Sequence, residues 1–287
     1  MSLTTTWKSA RGQGKKVVSR LARRVLPRAT LSLTHVEPDL RLSVNLRRHV
    51  MFWSGGLERF EPFTVATLRA LVRPGDTVFD IGANIGFFST LLSRLVGPTG
   101  IVVAFEPEPE NLSLLRVNID INRCDNVKIV ASAVGTEPGR STFSLDLATG
   151  STGHLGGSAT VGEIAVGTGK VSLIETQVES IDALMIRDGV VPDVIKMDIE
   201  GGEIQALEGA RRTIERHRPF VISELSGDAG VSVVRFLENR RYLLWDLESG
   251  HAVISEHRPF MIVAIPSERL NGERANRLLK SLEFAAN

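Results

Sequence analysis

From residue 77 onward, short uninterrupted apolar runs alternate with stretches of helical periodicity, and this alternation restricts the chain to few folds. Runs at 77–81, 101–105, 127–131, 194–197 and 220–224 are of the kind buried on both faces of a parallel sheet. Helical patterns fit 61–72, 86–96, 109–122, 180–187, 203–216 and 230–240. Further strands fit 140–147 (antiparallel), 171–178, 242–247 and 260–265. Strand and helix in turn predict βαβ units, hence an α/β fold with a doubly wound, mostly parallel sheet. Ligands of such sheets sit beyond the carboxyl ends of the strands. With 287 residues, 43% hydrophobic and 23% charged, the chain can bury a sizeable core without staples, and it is neither disordered nor a coiled coil. Its one cysteine, Cys124, excludes an intramolecular disulfide framework and a cysteine-cluster metal site. No apolar run approaches the ~18 residues of a membrane span.

The net charge of +1 hides an asymmetry. Residues 1–36 carry eight basic side chains and no acid, which leaves 26 basic against 33 acidic residues in the remainder. The acidic body argues against a nucleic-acid partner. The pattern divides the chain into a basic arm (1–30), a β extension or cap (31–60) containing a hairpin or meander, the main α/β domain (61–270) and a C-terminal helix or tail (271–287). In the arm, Val17, Val18, Leu21, Val25 and Leu26 recur at helical spacing among Arg and Lys until Pro27. That reads either as an amphipathic helix on an anionic membrane surface or as a solubilising extension. The expected location is cytoplasmic, with peripheral membrane contact through the arm. Oligomeric state is not encoded in any pattern.

The run 77–81 leads into Asp80-Ile81-Gly82-Ala83-Asn84-Ile85-Gly86. Strand, tight glycine turn and helix make the geometry of a nucleotide site: Gly82 permits a sharp turn and close ligand approach, and Gly86 permits close packing as the helix begins. On this reading Gly82→Val blocks the ligand and spares the fold. The next strand ends in Glu106, twenty residues after Gly86, where an acid accepts hydrogen bonds from ribose hydroxyls. The loop lacks the middle glycine that brings backbone against a pyrophosphate, which disfavours the alternative of a nicotinamide-dependent oxidoreductase. Asp80 is expected to point its acid at the crevice, repelling phosphate and attracting a cation. Adenosine with a positive centre and no phosphate describes S-adenosylmethionine. The stretch 162–170 superficially resembles a phosphate loop but fails its spacing, and Val171 replaces the magnesium-binding hydroxyl.

The block Val78-Phe79-Asp80-Ile81-Gly82-Ala83-Asn84-Ile85-Gly86-Phe87-Phe88-Ser89, then Ala104-Phe105-Glu106-Pro107 and Ser132-Ala133-Val134-Gly135, resembles class I methyltransferases. Ile195-Lys196-Met197-Asp198-Ile199-Glu200-Gly201-Gly202-Glu203, followed by Leu207-Glu208-Gly209-Ala210, narrows the resemblance to the FkbM-type family of S-adenosylmethionine-dependent methyltransferases. The resemblance covers roughly residues 58–225. It implies a Rossmann-like sheet of class I methyltransferase type and O-methylation of a sugar, glycolipid or secondary metabolite. It further implies methionine-end contacts at Asp80 and Gly82, the ribose at Glu106 and the adenine beside Ser132 and Ala133. Ala83, Asn84, Gly86 and Pro107 complete the expected cofactor set. Where members often carry a histidine after the strand ending at Glu224, Leu225-Ser226 stand here. A non-catalytic S-adenosylmethionine-binding module is a further alternative, and N- or protein methylation is open.

Strand alternation puts Lys196 and Asp198 on one face, with Asp198 at the carboxyl end of the strand. Glu200 and Glu203 crowd the following turn, where Glu203 suits a helix N-terminus. Methyl transfer to a hydroxyl needs in-line alignment and removal of one proton. Asp198, or Lys196 with its pKa lowered by burial, is a candidate base. Alternatively, Asp198 and Glu224 are candidate ligands of Mg²⁺, which would acidify a bound hydroxyl. Lys196 paired structurally with a carboxylate is the plainer reading. Among the histidines only His154 sits in a stretch, 149–170, suited to closing over a substrate, and it is a third catalytic candidate.

Overall fold

The computed structural model describes residues 30–34, 40–49, 61–146, 153–155, 171–225, 227–253 and 259–286. The basic arm, the Trp53–Gly56 turn and nearly all of 149–170 lie outside the described residues.

A hairpin comes first, with β1 (Thr30–Thr34) antiparallel to β2 (Arg41–Asn45). Then follow α1 (Pro62–Leu71), β3 (Thr77–Ile81), α2 (Phe87–Val96), β4 (Ile101–Phe105), α3 (Pro109–Ile121) and β5 (Val127–Val130). The middle of the chain forms β6 (Ala133–Val134), β7 (Gly139–Asp146), β8 (Gly153–Leu155) and β9 (Val171–Glu179). The last part holds α4 (Ile181–Asp188), β10 (Val194–Met197), α5 (Glu203–Glu208), α6 (Arg211–His217), β11 (Phe220–Glu224), α7 (Gly227–Glu238), β12 (Tyr242–Asp246), β13 (Met261–Pro266) and α8 (Glu273–Ala286).

Seven strands make the main sheet in the order β12-β13-β11-β10-β3-β4-β5, and a separate sheet has the order β6-β9-β7-β8. Within the main sheet β13 runs antiparallel to β11 and β12, and the pairs from β11 to β5 are parallel. This is the doubly wound, Rossmann-like sheet the sequence predicts. The chain order reverses between β3 and β10, which opens a crevice at their carboxyl ends. One core cluster packs Leu68, Leu71, Leu92, Leu278 and Leu282 on one side of the sheet, and a second packs Leu184, Leu207, Ile214, Phe236 and Leu237 on the other. The C-terminal helix α8 therefore belongs to the core. Its Arg274 and Arg277 donate to the carbonyls of Leu71 and Ala70, which satisfies the last turn of α1.

Local chemistry sets the helix ends. Ser180 accepts from the Ala183 amide and Gly189 is left-handed, so α4 lies between an N-cap and a C-terminal glycine. The expected single helix over 203–216 is instead two. A Cβ on Gly209 would lie 2.0 Å from the Gly135 carbonyl oxygen, so the backbone presses against a neighbouring segment there and the helix restarts. Asp182 caps the new start, accepting from the amides of Arg212 and Thr213 at 2.8 Å each. Among the described residues no helix is long and apolar enough to cross a membrane.

Candidate active site

The glycine loop lies at the crevice between β3 and β10, with Gly82 at φ +82° and Gly86 at φ +90°. A Cβ on Gly86 would meet Leu115 Cδ1 at 2.6 Å, which is the close helix packing expected there. Gly82 departs from expectation. A Cβ on it would lie 2.1 Å from the Asp198 carbonyl oxygen, so the glycine is required by the approach of the β10 exit and not only by a ligand. Gly82→Ala is accordingly expected to destabilise the ligand-free protein. The left-handed backbone alone costs about 1–2 kcal/mol, and displacing the Asp198 carbonyl adds to it. Urea unfolding measures the loss; wild-type stability with cofactor binding gone would restore the view that Gly82 serves the ligand alone.

Every amide of the loop is already occupied. Gly82 and Ala83 donate to the Phe105 carbonyl, Asn84 to Glu106 Oε2, Ile85 to Asn84 Oδ1 and Gly86 to the Ala83 carbonyl. No loop amide is left to cradle a phosphate, in keeping with a phosphate-free adenosine ligand. Glu106 is buried and accepts from Asn84 and Glu108 amides at 2.8 Å each, one on each oxygen. Each carboxylate oxygen has a second acceptor site, which suits a pair of ribose hydroxyls. Burial pushes the Glu106 carboxyl up to about 8, opposed by those two amides.

A cleft is lined by Gly82, Asn84, Glu106, Pro107 and Asp198 among the expected residues, and also by Glu108, Asn111, Phe143, Ile199 and Glu200. Ser132 and Ala133 are buried and do not line this cleft, and the Ser132 hydroxyl has no partner among the described residues. The sequence reading missed Glu108, Asn111 and Phe143. Their only signals were adjacency to Glu106, the first turn of α3 and the inward face of β7, none of them specific.

Register places Lys196 of β10 directly beside Asp80 of β3. Lys196 is 1% exposed and Asp80 0%, with Nζ 3.4 Å from Asp80 Oδ1 and 3.8 Å from Asp198 Oδ2. Ser89 donates to the other Asp80 oxygen at 2.6 Å, and Lys196 lies over the Phe88 ring at 4.5 Å. Two expectations are corrected here. Asp80 does not offer a free carboxylate to the crevice; it is the buried counter-ion of Lys196. Nor is Lys196 a base of lowered pKa: burial alone would lower it, but Asp80, Asp198 and Glu61 outweigh burial and raise it above the usual ammonium range. The lysine stays charged.

Asp198, with its side chain 27% exposed, is the member of this group that reaches solvent in the cleft. Around it stand acids that burial, and then neighbouring carboxylates, push above the usual carboxylate range. Glu224 is pushed up to about 11 by burial and by its hydrogen bond to Asp198. Glu200 is pushed up to about 8 by burial and the Asp198 charge. Glu61, unnoticed in the sequence because it lies at the start of α1, is pushed up to about 7 by burial and then by Asp198. Glu203 instead organises the turn, accepting from the Ile199 and Gly201 amides at 3.1 and 3.2 Å. Asp198, Glu200 and Glu224 bring carboxylate oxygens within 4.8 Å of one another. His154 of β8 stands opposite Ser144 of β7, and its side chain lies outside the described residues.

A family model described as "Methyltransferase FkbM domain" matches residues 80–244. A protein of Streptomyces tacrolimicus described as 31-O-demethyl-FK506 methyltransferase FkbM is 31% identical over 159 residues, 48% of this chain and 60% of its own. An arsenite methyltransferase of Halobacterium salinarum is 36% identical over 69 residues, 24% of this chain and 18% of its own. Among solved structures, a methyltransferase FkbM from Methylobacillus flagellatus KT aligns with a TM-score of 0.42 at 18% identity, covering 74% of this chain and 60% of that one. The chain thus spans 60% or less of the length of these curated relatives.

Proposed function

This chain belongs to the FkbM methyltransferase family, and on that premise we propose that it is an S-adenosylmethionine-dependent O-methyltransferase acting on a hydroxyl of a sugar, glycolipid or secondary metabolite. The observation that carries the reading is the cleft itself: a glycine loop with no amide free for phosphate, an acid held for ribose hydroxyls, and Asp198 opposite. The loop offers no unpaired backbone amide to a pyrophosphate-bearing nicotinamide cofactor. The hydroxyl acceptor is supported by the Streptomyces relative, whose name specifies an oxygen-linked methyl.

Bound there, S-adenosylmethionine would supply a methyl group on a positively charged sulfur for in-line transfer to the acceptor oxygen, the carbon–sulfur electron pair staying with sulfur. The acceptor proton goes to Asp198. Lys196, 3.8 Å away, holds Asp198 in place, and the cleft-facing Asp198 carboxylate favours a cationic donor over its neutral product. Above pH 8, where the Glu106 carboxyl is ionised, Glu106→Ala is expected to cost about 1.5–3 kcal/mol of S-adenosylhomocysteine binding, the range for hydrogen bonds to a charged group. Calorimetry with unchanged affinity would remove Glu106 from the ribose site. The acceptor is identified by comparing metabolites and glycolipids of cells with and without the gene for a methyl-sized mass difference.

A divalent ion is the second reading, favoured by the cluster of Asp198, Glu200 and Glu224. Their oxygen donors suit Mg²⁺, which would acidify a bound hydroxyl. Against it stands the carboxyl of Glu224, which burial and its hydrogen bond to Asp198 push up to about 11. Activity lost in EDTA and restored by Mg²⁺ selects this reading; full activity in EDTA leaves Asp198 acting alone.

The basic arm is proposed to touch anionic membrane surface. Deleting residues 1–28 is expected to leave cofactor binding intact and to weaken binding to anionic vesicles in a salt-dependent way. Equal binding of the full chain to anionic and neutral vesicles would dismiss that contact.

A further inference from the structure

The N-terminal hairpin is docked through polar side chains of α3 and of its C-cap, Asn122. Asn122 pairs with both backbone groups of Arg41, accepting at 2.9 Å and donating at 2.7 Å. Asn118, fully buried, does the same for Ser43 at 2.5 and 3.1 Å, and also donates to the Ile85 carbonyl of the glycine loop at 2.6 Å. One side chain thus ties the hairpin to the loop.

The turn after β2 then delivers Arg48. Its guanidinium pairs with Glu108 and, at 2.5 Å, with Glu110; the Arg48 and Glu108 side chains are 9% and 7% exposed. Glu108 also accepts from Asn111 Nδ2 at 3.0 Å, and its own amide donates to Glu106 Oε1. Both Glu108 and Asn111 line the cleft. The neighbouring His49 adds no charge. Its Nδ1 accepts from the Asn45 amide, and burial followed by Arg48 holds the ring down at about 4.

We propose that Arg48 is a positioning residue of the cofactor site, neutralising and holding Glu108 so that Glu106 meets the ribose as an ionised, correctly placed carboxylate. This rests on the methyltransferase reading above. The physical reason is charge balance. Glu106 faces Glu108 on its own loop and Asp80 on β3, with Asp198 and Glu200 across the cleft. Lys196 is already paired with Asp80 and Asp198. Arg48 is the cation placed on Glu108, whose charge otherwise opposes ionisation of Glu106.

The test is calorimetric titration of S-adenosylhomocysteine from pH 6 to 10 into wild type, Arg48→Gln and Arg48→Lys. Wild-type affinity is expected to rise with pH and level off above the Glu106 ionisation, because the ribose hydroxyls prefer the charged acceptor. Arg48→Gln is expected to weaken binding about tenfold at pH 7 and to move the midpoint up by about one pH unit. Arg48→Lys should restore the midpoint. An equal loss at every pH with the midpoint unmoved would mean that Arg48 only anchors the hairpin, and would overturn the proposal, as would unchanged affinity. If wild type binds no S-adenosylhomocysteine at any pH, the methyltransferase reading itself falls and this proposal with it. If Arg48→Gln does not fold, amide exchange of wild-type residues 41–49 decides. Saturating S-adenosylhomocysteine should slow it if docking of the hairpin completes the site, and unchanged exchange overturns the proposal.

Discussion

Asp198→Asn is expected to lower turnover by ~10²-fold or more, in line with the loss of a general base, while S-adenosylhomocysteine affinity changes far less. The substitution keeps size and shape and removes the charge. Of the acids in the crevice, Asp198 alone combines exposure to the cleft, contact with Lys196 and a protonated neighbour in Glu224. Glu224 and Glu200 are held up by burial and by Asp198 itself, so they hold protons at neutral pH where Asp198 is to receive one. The measurement is single-turnover methylation of the identified acceptor, with cofactor affinity determined on the same variant. Near-wild-type turnover would remove Asp198 both as base and as metal ligand, and His154 would be tested next. A loss confined to cofactor affinity would move Asp198 to donor binding.

The second large effect is on stability. Lys196→Met is expected to destabilise the fold by about 3–5 kcal/mol, the cost of leaving a buried charge without its partner. The methionine fills the space of the lysine stem, so the loss is electrostatic. Asp80 is fully buried, and its Oδ1 has Lys196 as its counter-charge with no hydrogen bond besides among the described residues. Asp198 can be resolvated through the cleft, but Asp80 cannot. Replacing both groups, Lys196→Met with Asp80→Asn, removes both buried charges and is expected to recover most of the deficit. Equilibrium urea unfolding of the two variants measures the difference. If the single replacement is as stable as wild type, the pair does not hold the sheet centre together. If the double replacement is no better than the single, lost packing over Phe88 is the cause instead.

The features legible in the sequence are those that a local pattern determines. Apolar runs and helical periods fix the order of strands and helices, since each element must bury its own face. The glycine turn with Glu106 two elements later follows from the length of one βα unit, and Asp198 at the end of a buried strand follows from the carboxyl-end rule for such sheets. The approach of segments distant in the chain was settled only by the tertiary structure. The β3–β10 register turned Lys196 and Asp80 from candidate base and candidate ligand contact into a buried pair. Backbone contact with Asp198 gave Gly82 a structural reason to lack a side chain, and contact with Gly135 broke the helix at Gly209. Docking of the hairpin brought Arg48 to Glu108, and the start of α1 brought Glu61 into the field of Asp198. Protonation in the crevice depends on burial and on the charges that the fold assembles there, and neither quantity exists until the strands are in register.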